Sequence, residues 1–514
     1  MENVTQLRRW LVLGVMSLAI FVIFLDNTVV NTALPTMAVD LSASTSTLQW
    51  VVDAYTLVLA ALLLLGGSLG DRYGRRRWMT MGLAVFGLAA VVAAVSDSAG
   101  LLIGARAFQG LGAALAMPAT LSIITDVFPR ETRARAIGIW TAVGGLGIGT
   151  GPAVGGWLVD THGWASVFWL HVPVIVLALA GMLVVPESRD ARRRPLDLPG
   201  AALGTAGLGA LVYGIIHAGD AGWTSAGSLT AFALAVVALA AFASVERRSP
   251  SPLLPLEFFR QRDFTAAVVI IGLVFFALMV TFFFLTQYFQ IVQGRSALAA
   301  GLLLLPMAGA IAVGSAVAGG LVRRLGPRVM SVAALIMAVA GMAALTRIEV
   351  GSGSLAVVGP LLLFGVGGGL GMTPLTDTVM AAVPVGDAGV GSAVNDFARE
   401  LGAALGIATV GSVVNSLYRS NLEDALAGTA PDALVEAAGE GIGVAAVAAG
   451  QVPAELGGRL LAAAHPAFVD AIHVGFALSA LILAVAAVAS LAGLPSRMRS
   501  SQKEAEDLSA PALA

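Results

Sequence analysis

The feature that most confines this chain is a succession of fourteen apolar runs, each about 18–25 residues long, the length that carries a helix across the hydrocarbon core of a bilayer. They centre near residues 21, 59, 88, 112, 147, 175, 208, 236, 275, 309, 337, 364, 408 and 481. No set of water-soluble cores hides that much apolar surface, because 58% of the 514 residues are hydrophobic and only 12% are charged. The expected fold is therefore an all-α polytopic membrane protein with 14 transmembrane helices. An even number of spans returns both termini to one side. The basic residues test that register, since cytoplasmic loops collect Lys and Arg. Of the 29 basic residues, 23 fall on the side of the N-terminus, among them Arg8 and Arg9, Arg72 to Arg77, Arg192 to Arg194 and Arg497 to Lys503. Only Arg295, Arg347, Arg419 and Arg459 fall opposite, so both termini are expected to be cytoplasmic.

Several function classes drop out. The net charge of −2 gives no footing for nucleic acid, and the absence of Cys removes disulfides, thiolate metal sites and cysteine nucleophiles. The only lysine is Lys503, so a lysine-bearing phosphate loop for ATP is missing. His162, His171, His217, His465 and His473 are scattered and suggest no metal or cofactor site. No catalytic constellation is visible, and the chain is expected not to be an enzyme. An ion gradient is left as the energy source.

Residues 67–76, GSLGDRYGRR, overlay residues 319–328, GGLVRRLGPR, at a shift of 252, and residues 108–115 echo 363–370. Two related halves follow, an architecture in which rocking around a midplane site gives alternating access. The shift exceeds six helices, so the runs near 199–245 read as an insertion. The expected division is a six-helix bundle over 1–185, a linker with two extra helices over 186–262, and a second six-helix bundle over 263–494. The second bundle carries an outer loop at 419–466, and a polar tail occupies 495–514.

Charge inside the apolar runs marks the candidate site. An Asp at the centre of a spanning helix costs roughly 2.5–3.5 kcal/mol, so it is a functional candidate by default. Asp26 lies 16 residues past Trp10, roughly 24 Å along a helix. Asp53 lies 16 residues before Leu69 on the next run, at a similar depth. Arg106 is the only arginine well inside an apolar run and must meet a carboxylate, carbonyls or water. A site that holds a proton or a cation, but not both, couples the two by competition. Asp26 is expected to carry the proton, and Asp53 to attract a cation between Trp50 and Tyr55. The aromatic-rich run from Phe275 to Phe289 suits packing and lipid contact more than a pocket. Asp396, Arg399 and Glu400 are expected as a cluster on the cytoplasmic side, with an i,i+3 Asp–Arg pair.

Gly67, Asp71, Arg72, Gly74, Arg75 and Arg76 close the second run and open the third, where glycine permits a tight turn and Asp71 can pair with the arginines. This stretch resembles the loop signature of the major facilitator superfamily. Residues 106–110, RAFQG, resemble its buried-arginine signature. Gly147, Gly149, Gly151, Pro152, Gly155 and Gly156 resemble the antiporter signature of its exporters, and residues 25–35, LDNTVVNTALP, are similar to the first-helix signature of its fourteen-helix drug:proton antiporter branch.

The resemblance implies two six-helix bundles plus two inserted helices, Arg106 acting in proton transfer, Asn31 with Asp53 at a substrate site, and a fifth helix that favours export. An acid at Asp53 further implies a cationic substrate. The implied function is a proton-coupled antiporter that exports lipophilic drugs or antibiotics across a bacterial plasma membrane. A proton-coupled importer, or a dedicated exporter of one natural product, is the alternative. The implied partners are a lipophilic small molecule, protons and lipid, with neither ATP nor nucleic acid.

Overall fold

A computed structural model of the chain describes residues 5–189, 197–250, 252–254, 256–383 and 388–496. Arg192 to Arg194 and the tail from Arg497 lie outside the described residues. The first half comprises α1 (Gln6–Asp40), α2 (Thr45–Tyr73), α3 (Arg75–Ala94), α4 (Ala99–Val127), α5 (Arg130–His162) and α6 (Ser166–Gly181). A hairpin of α7 (Leu198–Ala221) and α8 (Ala226–Glu246) follows. The second half comprises α9 (Arg262–Gln287), α10 (Ala297–Leu325), α11 (Pro327–Leu345), α12 (Ser354–Ala381) and α13 (Ala388–Leu426). Two short helices, α14 (Asp432–Ala438) and α15 (Ile442–Gln451), lead to α16 (Ala454–Gly493).

The helices α1–α13 and α16 occupy the fourteen apolar runs. Twelve of them are each long and apolar enough to cross a membrane, while Val143–His162 of α5 and Ser166–Gly181 of α6 meet that requirement together across a 117° bend. The long connection before the last helix is shorter than expected. Because α13 runs on to Leu426 and α16 begins at Ala454, the connection between them spans 427–453 rather than 419–466. Polar residues such as Asn421 and Arg459 extend these helices beyond their apolar runs without breaking the helical ladder.

The internal repeat has a structural counterpart. Gly74 ends α2 with φ +121° and Gly326 ends α10 with φ +79°, a left-handed backbone that favours glycine, and each glycine is the single residue before the next helix. Around these joints α4 packs on α2 and α3, as α12 packs on α10 and α11. The halves meet where α5 runs along α10 and α2 along α13.

The hairpin covers the second of these seams. Ser412 and Ser416 of α13 donate to the carbonyls of Ile215 (2.7 Å) and Gly219 (3.1 Å) on α7. Trp50 of α2 rests against Tyr213 of α7, with ring centroids 6.3 Å apart. Polar bonds between the halves gather near the α1–α2, α5–α6 and α9–α10 turns. Gln290 donates to the Thr32 carbonyl at 2.9 Å, and Gln49 to the carbonyls of Ile407 (2.9 Å) and Ala408 (3.2 Å). Asp160 accepts from the backbone N–H groups of Ala297 and Leu298, both at 2.8 Å. At the C-terminal end of α5 a carboxylate opposes the helix dipole, whereas across the seam it caps the start of α10.

Candidate functional site: a buried ion pair beside an inter-half cavity

Asp26 and Arg106 are fully buried, and Arg106 Nη1 donates to both carboxylate oxygens of Asp26, at 2.9 and 2.7 Å. The same nitrogen donates to Gln109 Oε1 at 3.0 Å, and Arg106 Nε donates to the Val51 carbonyl at 3.0 Å. Helical spacing puts Arg106 and Gln109 on one face of α4. Gly110 brings α4 so close to α2 that a Cβ there would strike the Tyr55 carbonyl. Tyr55 is held under the guanidinium, 4.4 Å from its ring centroid, where cation and ring attract. The arginine therefore meets two of the three expected kinds of partner, a carboxylate and a carbonyl. Removing either member of such a buried pair would leave a charge uncompensated, at about 3–5 kcal/mol.

The pair opens on a small cavity of about 10 Å³ between the halves, roughly the room one water takes. From the first half it is lined by Asp26, Asn27, Asn31, Tyr55 and Arg106, and from the second by Phe275 and Met279 of α9 and Glu400 of α13. Asn27 and Glu400 line it from opposite halves. Asn31 donates to the Asn27 carbonyl at 2.8 Å, and its own side-chain oxygen has no partner.

The structure regroups several expected residues. Glu400, placed by sequence in a cytoplasmic-side cluster, is buried at the central cavity. Asp396 and Arg399 do form the i,i+3 pair, at 3.7 Å, with Arg399 over the Phe275 ring at 5.4 Å. Trp50 and Asp53 do not join Tyr55 at the cavity. At about 100° per residue Asp53 and Tyr55 point to nearly opposite faces of α2, while Trp50, Asp53 and Leu57 share the face on which Trp50 and Leu57 pack toward α7 and α13. Asp53 is fully buried there, and neither carboxylate oxygen has a hydrogen-bond partner. Of the aromatic-rich run, Phe282, Phe283, Phe284 and Phe289 are buried in protein, and Phe275 lines the cavity.

The joint between α2 and α3 holds the expected ion pair, with Arg75 Nε donating to Asp71 at 2.7 Å. Sequence reasoning missed two further anions. Arg75 also bonds Asp126 of α4, and Glu187 accepts from the Arg76 N–H at 3.1 Å. A Cβ on Gly74 would lie 2.7 Å from Glu187. Arg72 lies over the Tyr73 ring at 5.4 Å, and Gly67 faces Pro118.

The α5 glycines serve two neighbours. Gly147, Gly151 and Gly155 form the i,i+4 stripe against α1, at Phe21, Thr28 and Val29, while Gly156 meets Ala297 of α10. Pro152 has no N–H, which frees the Ile148 carbonyl; the Thr28 hydroxyl donates to it at 3.1 Å. Among the described residues no group of three or more His, Asp or Glu side chains is placed to hold a metal ion.

The Major Facilitator Superfamily model matches residues 16–407. The chain belongs to that superfamily. Its relatives in the family include the multidrug efflux pump LfrA of Mycolicibacterium smegmatis, 37% identical over 95% of this chain and 97% of the relative. The multidrug resistance protein Stp of Mycobacterium tuberculosis is 38% identical over 84% and 80%. The puromycin resistance protein pur8 of Streptomyces alboniger is 39% identical over 85% and 88%. In fold the chain is similar to a bacterial homologue of the human lysosomal transporter Spinster in an inward-facing and occupied conformation, with TM-score 0.64, 18% identity and coverage of 95% and 97%. As a major facilitator with bacterial efflux relatives, it is an integral plasma-membrane transporter for small molecules.

Proposed function

We propose that this transporter exports lipophilic, cationic drugs in exchange for protons, with both termini in the cytoplasm. The observation that carries the reading is the buried Asp26–Arg106 pair at a cavity that Glu400 completes from the other half. With Asp26 ionised, it neutralises Arg106, and Glu400 offers a negative charge to a cation that enters against Tyr55, Phe275 and Met279 as the halves rock apart and widen the cavity. When Asp26 takes a proton, the guanidinium keeps the Val51 carbonyl, Gln109 and the Tyr55 face but loses its counter-charge. Its field at the cavity then opposes a bound cation, so proton and drug exclude each other. The energy comes from the proton gradient, and no cofactor takes part.

The basic-residue distribution supports the assigned sidedness. The Asp160, Gln49 and Gln290 bonds would then close the outer end, leaving the cavity to be reached from the cytoplasm. A narrower reading, export of a single natural product, draws support from the relatives named for puromycin and for tetracenomycin C resistance and export.

Everted vesicles made acidic inside test the reading with a panel of cationic, neutral and anionic drugs. Proton release on addition of cationic drugs is expected. A response to one compound alone selects the narrower reading, and no response to any class, with protein in the membrane, overturns the exchange.

A further inference from the structure

Beside the ion pair stands a residue that sequence patterning passed over. His171 of α6 is fully buried, and its Nε2 lies 3.5 Å from Asp26 Oδ1. Neither ring nitrogen has a hydrogen-bond partner. The imidazole stands edge-on to Phe86 of α3, with centroids 5.6 Å apart, and to Phe168, at 6.3 Å. Phe168 also lies 6.0 Å from the Arg106 guanidinium, so ring, cation and carboxylate share one buried cluster. A buried polar ring without a partner is costly unless another state of the site supplies one.

We propose that His171 is the hydrogen-bond acceptor for the proton carried by Asp26. In the state described here Arg106 occupies both oxygens of Asp26, and one carboxylate cannot balance a guanidinium and an imidazolium together, so the imidazole is neutral. A neutral imidazole offers one acceptor nitrogen. When a proton adds to Asp26 Oδ1, that oxygen gives up its bond from Arg106 Nη1, while the carbonyl oxygen Oδ2 keeps its own. The new O–H then donates to His171 Nε2, which needs to close the 3.5 Å gap by only a few tenths of an ångström. The remaining tautomeric proton sits on Nδ1. His171 thus acts as a positioning residue that favours the protonated carboxyl over the ion pair. The charged groups acting on the imidazole are Asp26 from α1 and Arg106 from α4. Tyr55 and Glu400 are the further ionisable groups of the site, and from α3 the packed ring is Phe86.

The inference rests on Asp26 as the proton seat, and a titration separates the two ideas without any drug. The carboxylic C=O stretch of purified full-length protein is followed by infrared spectroscopy against pH, with the Asp26 band identified by its loss in Asp26→Asn. In His171→Phe, which keeps a ring for Phe86 and Phe168 to pack on, the Asp26 midpoint should move about one pH unit toward acid, a roughly tenfold weaker proton affinity, and the band should shift to that of a free carboxyl. His171→Leu is the second acceptor-free variant should the Phe protein fail to fold. His171→Gln, which keeps an acceptor, should stay within about threefold of wild type. An unchanged midpoint and band in the acceptor-free variant overturns the proposal and makes His171 a packing residue. No Asp26-dependent band in the wild type overturns Asp26 as the proton seat, and the role of His171 with it.

Discussion

The two halves share a scaffold and differ in what they bury. Both turn on a positive-φ glycine, Gly74 and Gly326, and both pack a glycine-rich helix, α4 or α12, against its two predecessors. Yet the first half buries Asp26, Asp53, Arg106 and His171, whereas α9 carries no charged residue after Asp263, and Leu361 stands on α12 where the aligned echo places Arg106. The second half contributes one acid to the cavity, Glu400, from its fifth helix. The difference teaches that the repeat supplies a shared scaffold, while most of the buried charge sits in one half and is only met by the other.

Substitutions at matched positions can break that contrast. The largest effect is expected for Arg106→Ala, which strands the Asp26 carboxylate at a cost of about 3–5 kcal/mol and should abolish transport. Leu361→Met, a volume-conserving change at the fully buried counterpart, should cost under ~1.5 kcal/mol and leave transport intact. Yield in detergent and drug uptake into everted vesicles check both. Next come two glycines one residue out of register. A Cβ at Gly66 would run into the Ala114 carbonyl, while Gly319 has nothing within 4 Å. Gly66→Ala should therefore lose about 1–3 kcal/mol of stability, and Gly319→Ala should gain up to about 1 kcal/mol, read as opposite shifts in melting temperature.

Glu400→Gln sharpens the comparison by removing the second half's one charge from the cavity. Affinity for cationic drugs should fall roughly tenfold, a loss of one nearby opposite charge, with neutral drugs unaffected in competition binding. The smallest effect is expected at the seam. Asp160→Asn weakens the cap on α10 by about 0.5–1.5 kcal/mol and should raise the population in which that end is open. Because the chain has no Cys, spin labels at Thr161→Cys and Ala299→Cys report that distance without background.

Much of the scaffold was legible because membrane helices declare themselves by length and hydrophobicity, and the 252-residue shift located both glycine joints. Asp26 and Arg106 were legible because a charge in an apolar run must find a partner, and here the two partner each other. Residues whose meaning depends on long-range packing were not. Asp126 reaches the Arg75–Arg76 joint from α4 and Glu187 from the segment after α6, and His171 is one histidine among five until α6 sets it against Asp26. Glu400 read as part of a local i,i+3 cluster because sequence spacing shows neighbours on one helix, not the face another bundle supplies. The separation of Asp53 from Tyr55 could have been read from helical geometry, since two residues of helix turn a side chain through about 200°.

The proposed exchange of proton for drug turns on Asp26 at the Arg106 pair. Asp26→Asn in everted vesicles tests it most directly, with downhill drug counterflow and drug-driven proton release measured on the same preparation. Counterflow is expected to persist while proton release falls to background. Proton release at the wild-type rate, from Asp26→Asn protein present in the membrane at wild-type level, would contradict it.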